Sequence, residues 1–132
     1  GPTFTPPTRG EIENGRDRNH DDAARLMAAL GTAQLHTTNH VRGETWTWLR
    51  RRAGHRGAVR FLDHLDASAR VEVEHIGPRI ESQAIAWLRS RDEREYSFVD
   101  ATSFALMRSR KIREVLAFDG DFSAAGFIEL RP

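Results

Sequence analysis

Four acidic residues, Glu44, Asp100, Asp119 and Asp121, stand where separate elements of the chain begin or end. Hard divalent cations such as Mg²⁺ and Mn²⁺ take carboxylate oxygens and keep part of their water shell. Three or four acids converging from different elements are the usual protein contribution to such a site. Held there, the ions could activate a water and stabilise both oxygens of an in-line displacement at phosphorus. Without a cation the carboxylates would repel one another and raise each other's pKa values. Each acid also has a purely structural explanation. Asp100 stands three residues after Ser97, the spacing of a capping box. Asp119-Gly120 is a common turn dipeptide, and Asp121 could begin a turn or cap a short helix at Ser123-Ala124-Ala125. Glu44 could pair with Arg42 or Arg51 on a solvated helix face.

The elements that must position these acids are legible from His20 onward. A helix is expected from Asp21-Asp22 with Ala24, Leu26, Met27 and Leu30 as its apolar positions and Gly31 as its C-cap. Gln34 to Thr38 reads as a strand and Asn39 as the N-cap of the next helix. That helix carries Val41, Thr45, Trp48 and Leu49 inward and stops at Gly54. A further helix is expected over about Arg56 to Leu65 with Val59, Leu62 and Phe61 as its apolar positions. Residues 71–76 alternate with period two, as a strand does. Pro78 suits the first turn of a helix carrying Ile80, Ala84, Ile85, Trp87 and Leu88. Ser97 caps a helix through Phe98, Ala101, Ala105 and Leu106. Val115 to Phe118 is a continuous apolar run, expected of a strand covered on both faces, and Phe127 to Leu130 is a last, shorter strand. Strands alternating with helices in this way predict an α/β fold with a mostly parallel sheet and helices on both faces. Ligands bind at the carboxyl ends of such strands, and Asp119 directly follows one of them.

Composition narrows the chemistry further. The 132 residues make 15.0 kDa, one domain's worth of chain. Lys plus Arg number 20 and Asp plus Glu 19, a net charge of +1, so attraction to a polyanion must come from a local patch. There are no cysteines, which excludes disulfides, thiolate metal sites and a cysteine nucleophile. No apolar run is long enough to span a bilayer, and a bacterial cytoplasm is the default expectation. Hydrophobic residues make up 39% of the chain, enough for a modest core.

Six arginines against one acid, Glu44, give residues 42–60 a local charge of roughly +5. Arg42, Arg50 and Arg51 are the candidates for phosphate contacts. Arg108, Arg110, Lys111 and Arg113 form a second basic cluster. Trp48 and Trp87 fall on apolar helical faces, whereas Trp46 points away from Trp48 toward an interface. His36 and His40 straddle a strand-to-helix boundary, which argues against a zinc pair, and none of the six histidines is assigned to catalysis.

The stretch Tyr96-Ser97-Phe98-Val99-Asp100-Ala101-Thr102-Ser103-Phe104-Ala105-Leu106-Met107, followed by Ala117-Phe118-Asp119-Gly120-Asp121-Phe122, resembles the C-terminal half of a PIN-domain ribonuclease. It is similar in particular to the VapC toxins of bacterial toxin–antitoxin pairs. Thr38-Asn39-His40-Val41-Arg42-Gly43-Glu44-Thr45 is similar to the family's second motif, whose glutamate falls on Glu44. The resemblance implies a PIN-like α/β/α sandwich with a mostly parallel sheet of four or five strands. It implies a Mg²⁺- or Mn²⁺-dependent endoribonuclease, the toxin of a type II toxin–antitoxin system, working as a homodimer and inhibited by a VapB-type antitoxin. Asp100 and Asp119 would be the main metal ligands, Glu44 and Asp121 would complete the cluster directly or through water, and Ser103 would orient a ligand or a phosphate oxygen. Glu44-Thr45-Trp46 and Asp92-Glu93-Arg94-Glu95-Tyr96 look most like the toxins that cut the sarcin–ricin loop of large-subunit ribosomal RNA.

The start of the chain departs from that pattern. PIN domains open with an apolar strand in the middle of the sheet that ends in a metal-binding aspartate. Its place here falls near Thr5, where Thr3-Phe4-Thr5-Pro6-Pro7-Thr8 carries no carboxylate and one large apolar residue. Gly1-Pro2 has the form of a scar left by a tag-removing protease. Residues 1–19 therefore read as an atypical N-terminal segment and 20–132 as a PIN domain. The missing aspartate supports an alternative, a catalytically impaired PIN domain acting as a dimeric RNA- or antitoxin-binding module.

Overall fold

Every residue of Leu35–Thr38, β2, is buried, as expected of a strand covered on both faces. The computed structural model describes residues 3–4, 16–118 and 126–129 of the chain. Around β2 lie β1 (Thr3–Phe4), β3 (Val71–Glu74), β4 (Val115–Phe118) and β5 (Phe127–Glu129), in the order β1-β4-β5-β2-β3. β1 pairs in parallel with β4, and β2 with β3, while β5 runs antiparallel to both β2 and β4. Four of the five strands thus share one direction, so β2, β3 and β4 present their carboxyl ends at one edge. The sheet is mostly parallel, as expected.

The first strand is as atypical as its composition implies. β1 has two residues and sits at the sheet's margin, and the middle position that the family resemblance assigns to a first strand is filled by β5. Phe4 is its one large apolar residue.

Helices α1 (Arg16–Thr32), α2 (Asn39–Ala67), α3 (Pro78–Arg89) and α4 (Phe98–Arg110) flank the sheet. Leu35 joins Leu26 and Leu30 of α1, Trp48, Leu49, Phe61 and Leu65 of α2 and Leu116 of β4 in one core cluster. His36, next along β2, points to the opposite face, where Glu74 of β3 is tied to Arg110 of α4 at 2.8 Å. On that side Ala84 of α3 packs on Ala101 and Ala105 of α4. Two helices on each side of the sheet complete the sandwich.

Several local expectations are corrected. α1 begins at Arg16 and runs through Gly31 to Thr32, and Ala24 is exposed, because Leu26 and Leu30 with Ala23, Met27 and Ala29 form the face that packs on the core. Thr38, not Asn39, caps α2: its hydroxyl accepts from Val41 N–H at 3.1 Å, while Asn39 Oδ1 accepts from Ile76 N–H at 2.8 Å and anchors the loop after β3. The expected break at Gly54 is present: its φ of 77° and ψ of 176° are non-helical and suit glycine alone, so α2 is two helical segments joined by a kink there, the second ending at Ala67. Beyond the bend Phe61 is fully buried, whereas Val59 and Leu62 are half-buried. Ile85 of α3 is 37% exposed. Trp46 packs against the same core as Trp48 and meets His55 edge-on at 5.9 Å.

Candidate metal and RNA site

The carboxyl end of β2 becomes the start of α2, and the start of α4 packs against it. Val41 of α2 and Val99 of α4 form a small buried cluster between the two first turns. Their neighbours meet around that seam. The rings of His40 and Phe98 lie 6.0 Å apart at an interplanar angle of 34°. Glu44 is exposed on α2 and close enough to Asp100 for its charge to act there.

Asp100 is held by a capping box. Its N–H donates to Ser97 Oγ at 2.9 Å, and Ser97 N–H donates to Asp100 Oδ2 at 3.5 Å. The structural explanation of this acid is therefore correct, and it coexists with the site reading because one carboxylate oxygen is committed to the cap. Burial pushes the Asp100 carboxyl above its ordinary pKa, the bonds to Ser97 pull it back, and the Glu44 charge pushes it up again. A half-buried acid that feels the charge of a second acid is a place where a cation lowers the free energy.

One turn into each helix lie two further polar groups. Thr45, fully buried, and Ser103, 7% exposed, have hydroxyls without a hydrogen-bond partner among the described residues. Val41 to Thr45 and Val99 to Ser103 are each one helical turn, so both hydroxyls continue the α2–α4 seam. Ser103 is thereby largely shielded from solvent.

Asp119 and Asp121 lie outside the described residues; β4 delivers the chain at Phe118 to the same edge of the sheet. Among the described residues no three His, Asp or Glu side chains form a metal-ligand group, and the acids brought together are Glu44 and Asp100.

The three candidate arginines separate on the helix. At 100° per residue, His40, Glu44 and Arg51 share one stripe of α2, with Arg51 about 10 Å beyond Glu44. Arg42 and Arg50 fall on a different side. The second basic cluster is partly committed to the fold: Arg110 pairs with Glu74, and Arg108 lies over Trp87 at 5.9 Å. His36 is also structural, with Nε2 3.0 Å from Glu74 Oε1, a close contact without hydrogen-bond alignment.

The PIN-domain family model matches residues 12–128. The chain belongs to the PIN-domain family. This PIN domain is 55% identical over 121 residues to a protein named 23S rRNA-specific endonuclease VapC20 from two strains of Mycobacterium tuberculosis, covering 92% of this chain and 91% of the relative. It is also similar to the crystal structure of Mycobacterium tuberculosis VapC20, described as a sarcin–ricin loop cleaving toxin. That match has 50% identity and a TM-score of 0.65, and covers 99% of this chain and 100% of the other.

His40 and Phe98 are the site neighbours that sequence reasoning did not single out.

Proposed function

We propose that this PIN domain is a divalent-metal-dependent endoribonuclease, the toxin of a type II toxin–antitoxin system, hydrolysing RNA phosphodiester bonds. The observation that carries this reading is the packing of Val41 on Val99, which brings together the helices that carry Glu44 and Asp100, in a chain 55% identical to a named RNA endonuclease. The residues fit Mg²⁺ or Mn²⁺. Their donors are hard oxygens, and Asp100 holds its proton more tightly than an ordinary carboxyl because of its partial burial and, to a lesser degree, the Glu44 charge. Asp100 and Asp119 would hold the ion, with Glu44 and Asp121 completing the set. When bound, such an ion supplies positive charge to the phosphate and acidifies a water.

The chain's own groups do the rest. Ser97 fixes the Asp100 carboxylate through the capping box, and Ser103, one turn beyond, would orient a ligand or a phosphate oxygen. Arg51 holds a phosphate two turns along α2 from Glu44, while Arg42 and Arg50 reach the backbone from the helix's other side. The substrate follows the named relative, large-subunit ribosomal RNA at the sarcin–ricin loop. A VapB-type antitoxin, a second copy of the chain and the bacterial cytoplasm belong to the same reading. No described helix is long and apolar enough to cross a membrane.

The competing reading, an impaired PIN module, rests on the absence of a carboxylate near Thr5. Identity to an endonuclease across 92% of the chain favours the enzyme. Incubation with ribosomal RNA and Mg²⁺ or Mn²⁺ decides: cleavage abolished by EDTA supports the enzyme, and no cleavage with either ion supports the module.

A further inference from the structure

We infer that His40 and Phe98 form a platform on which one base of the substrate RNA stacks beside the acidic pair, an inference that rests on the endoribonuclease reading. Phe98 is 41% exposed, the most exposed large apolar side chain among the described residues. Its backbone is nevertheless fixed, since it opens α4 directly after the Ser97 cap. An aromatic ring left two-fifths exposed contributes less to folding than a fully buried one. It is, however, well suited to receive a flat ligand at low entropic cost.

The second ring makes the surface a platform. His40 comes from the other helix and lies 6.0 Å from Phe98 with a tilt of 34°. Its Nδ1 is buried without a hydrogen-bond partner, so one edge of the imidazole is seated in the fold. The platform borders the acids through His40, one turn before Glu44 on the same stripe of α2, and Phe98 joins it from the first turn of α4, the turn that also carries Asp100. Arg51 continues the stripe past Glu44. Along α2 the order is aromatic surface, carboxylate, guanidinium. That order fits one strand of RNA, with a base stacked, a scissile phosphate at the acids and a further phosphate on the cation. Single-stranded RNA with splayed bases is recognised by stacking on Phe and His rings in this manner.

The test uses the full chain and an RNA fragment carrying the sarcin–ricin loop, intact or made abasic at each nucleotide flanking the cut. Phe98→Ala is expected to raise KM about tenfold, the scale of one base–aromatic stack, with kcat nearly unchanged, and Phe98→Tyr to restore it. At one abasic position wild type and Phe98→Ala should become equal. An unchanged KM, or an effect that persists on every abasic RNA, overturns the platform. So does a change in oligomeric state with KM unaltered, which would make Phe98 a protein contact. If wild type cuts nothing, the endoribonuclease reading fails separately, and the platform is read from 2-aminopurine RNA in EDTA. Quenching by wild type that Phe98→Ala loses supports it; equal quenching by both overturns it.

Discussion

Glu44 and Asp100 approach from different helices and share one electrostatic neighbourhood, so that the charge of Glu44 strengthens proton binding at Asp100. Val41 and Val99 pack together between the first turns of the two helices. The arrangement costs stability when no cation is present, a common condition of functional sites.

That cost has a definite pH dependence. The Asp100 carboxyl is raised in the folded chain, so between the unfolded value of about 3.8 and the higher folded value the native state binds more protons. Stability therefore falls as pH rises through that window and stays lower above it. Asp100→Asn removes the penalty while retaining an acceptor for Ser97 N–H. In EDTA it should melt higher than wild type at pH 7, with the difference shrinking toward pH 3. Thermal melts across pH check this; a variant that melts lower at pH 7 contradicts it. Mn²⁺ should raise the melting temperature of wild type more than that of the variant.

Phe61 is the largest fully buried side chain and links the second half of α2 to Leu26, Leu30 and Leu35. Phe61→Ala should cost about 3–5 kcal/mol in denaturant unfolding, the sum of lost transfer energy and a cavity. A loss under 1 kcal/mol would mean that the region packs differently.

Gly54 holds the bend in α2 with φ 77° and ψ 176°. A Cβ there meets nothing within 4 Å, so the cost of Gly54→Ala is purely backbone. It should destabilise by about 1–3 kcal/mol, read as a lower denaturant midpoint. Gly57→Ala provides the contrast, because its Cβ would stand 2.8 Å from Ala53 Cβ and the cost is steric.

Arg51→Ala should weaken RNA binding at low salt and reduce the slope of log K against log salt by about 0.7–0.9, one phosphate contact's worth. Binding titrations at several salt concentrations measure it. Arg110→Ala, which breaks the pair with Glu74, should alter stability rather than that slope.

Much of the fold was legible because it is local. The alternation at Val71–Glu74, Pro78 in the first turn of α3 and the Ser97 cap are determined by neighbouring residues, and each is where the pattern placed it. Strand order was not legible, because periodicity fixes which face a residue presents but not which strand lies beside it. That is why β5 between β2 and β4 had no sequence signal. Exposure failed similarly at Ile85 and Phe98, which continue an apolar pattern past the point where a neighbour covers them. In the candidate site, both explanations of Asp100 hold together: the capping box orients the acid, and α2 supplies the second charge. The spacing from Ser97 revealed the first, whereas the second depends on the packing of α2 against α4.

The most direct test is cleavage of sarcin–ricin-loop RNA with Mn²⁺ by wild type, Glu44→Gln and Asp119→Asn, each matched with an EDTA control. Discrete cutting by wild type that EDTA and either substitution reduce by at least about a hundredfold is the expected result. Cutting that survives both substitutions, or that EDTA leaves unchanged, would contradict a carboxylate-held metal as the source of activity.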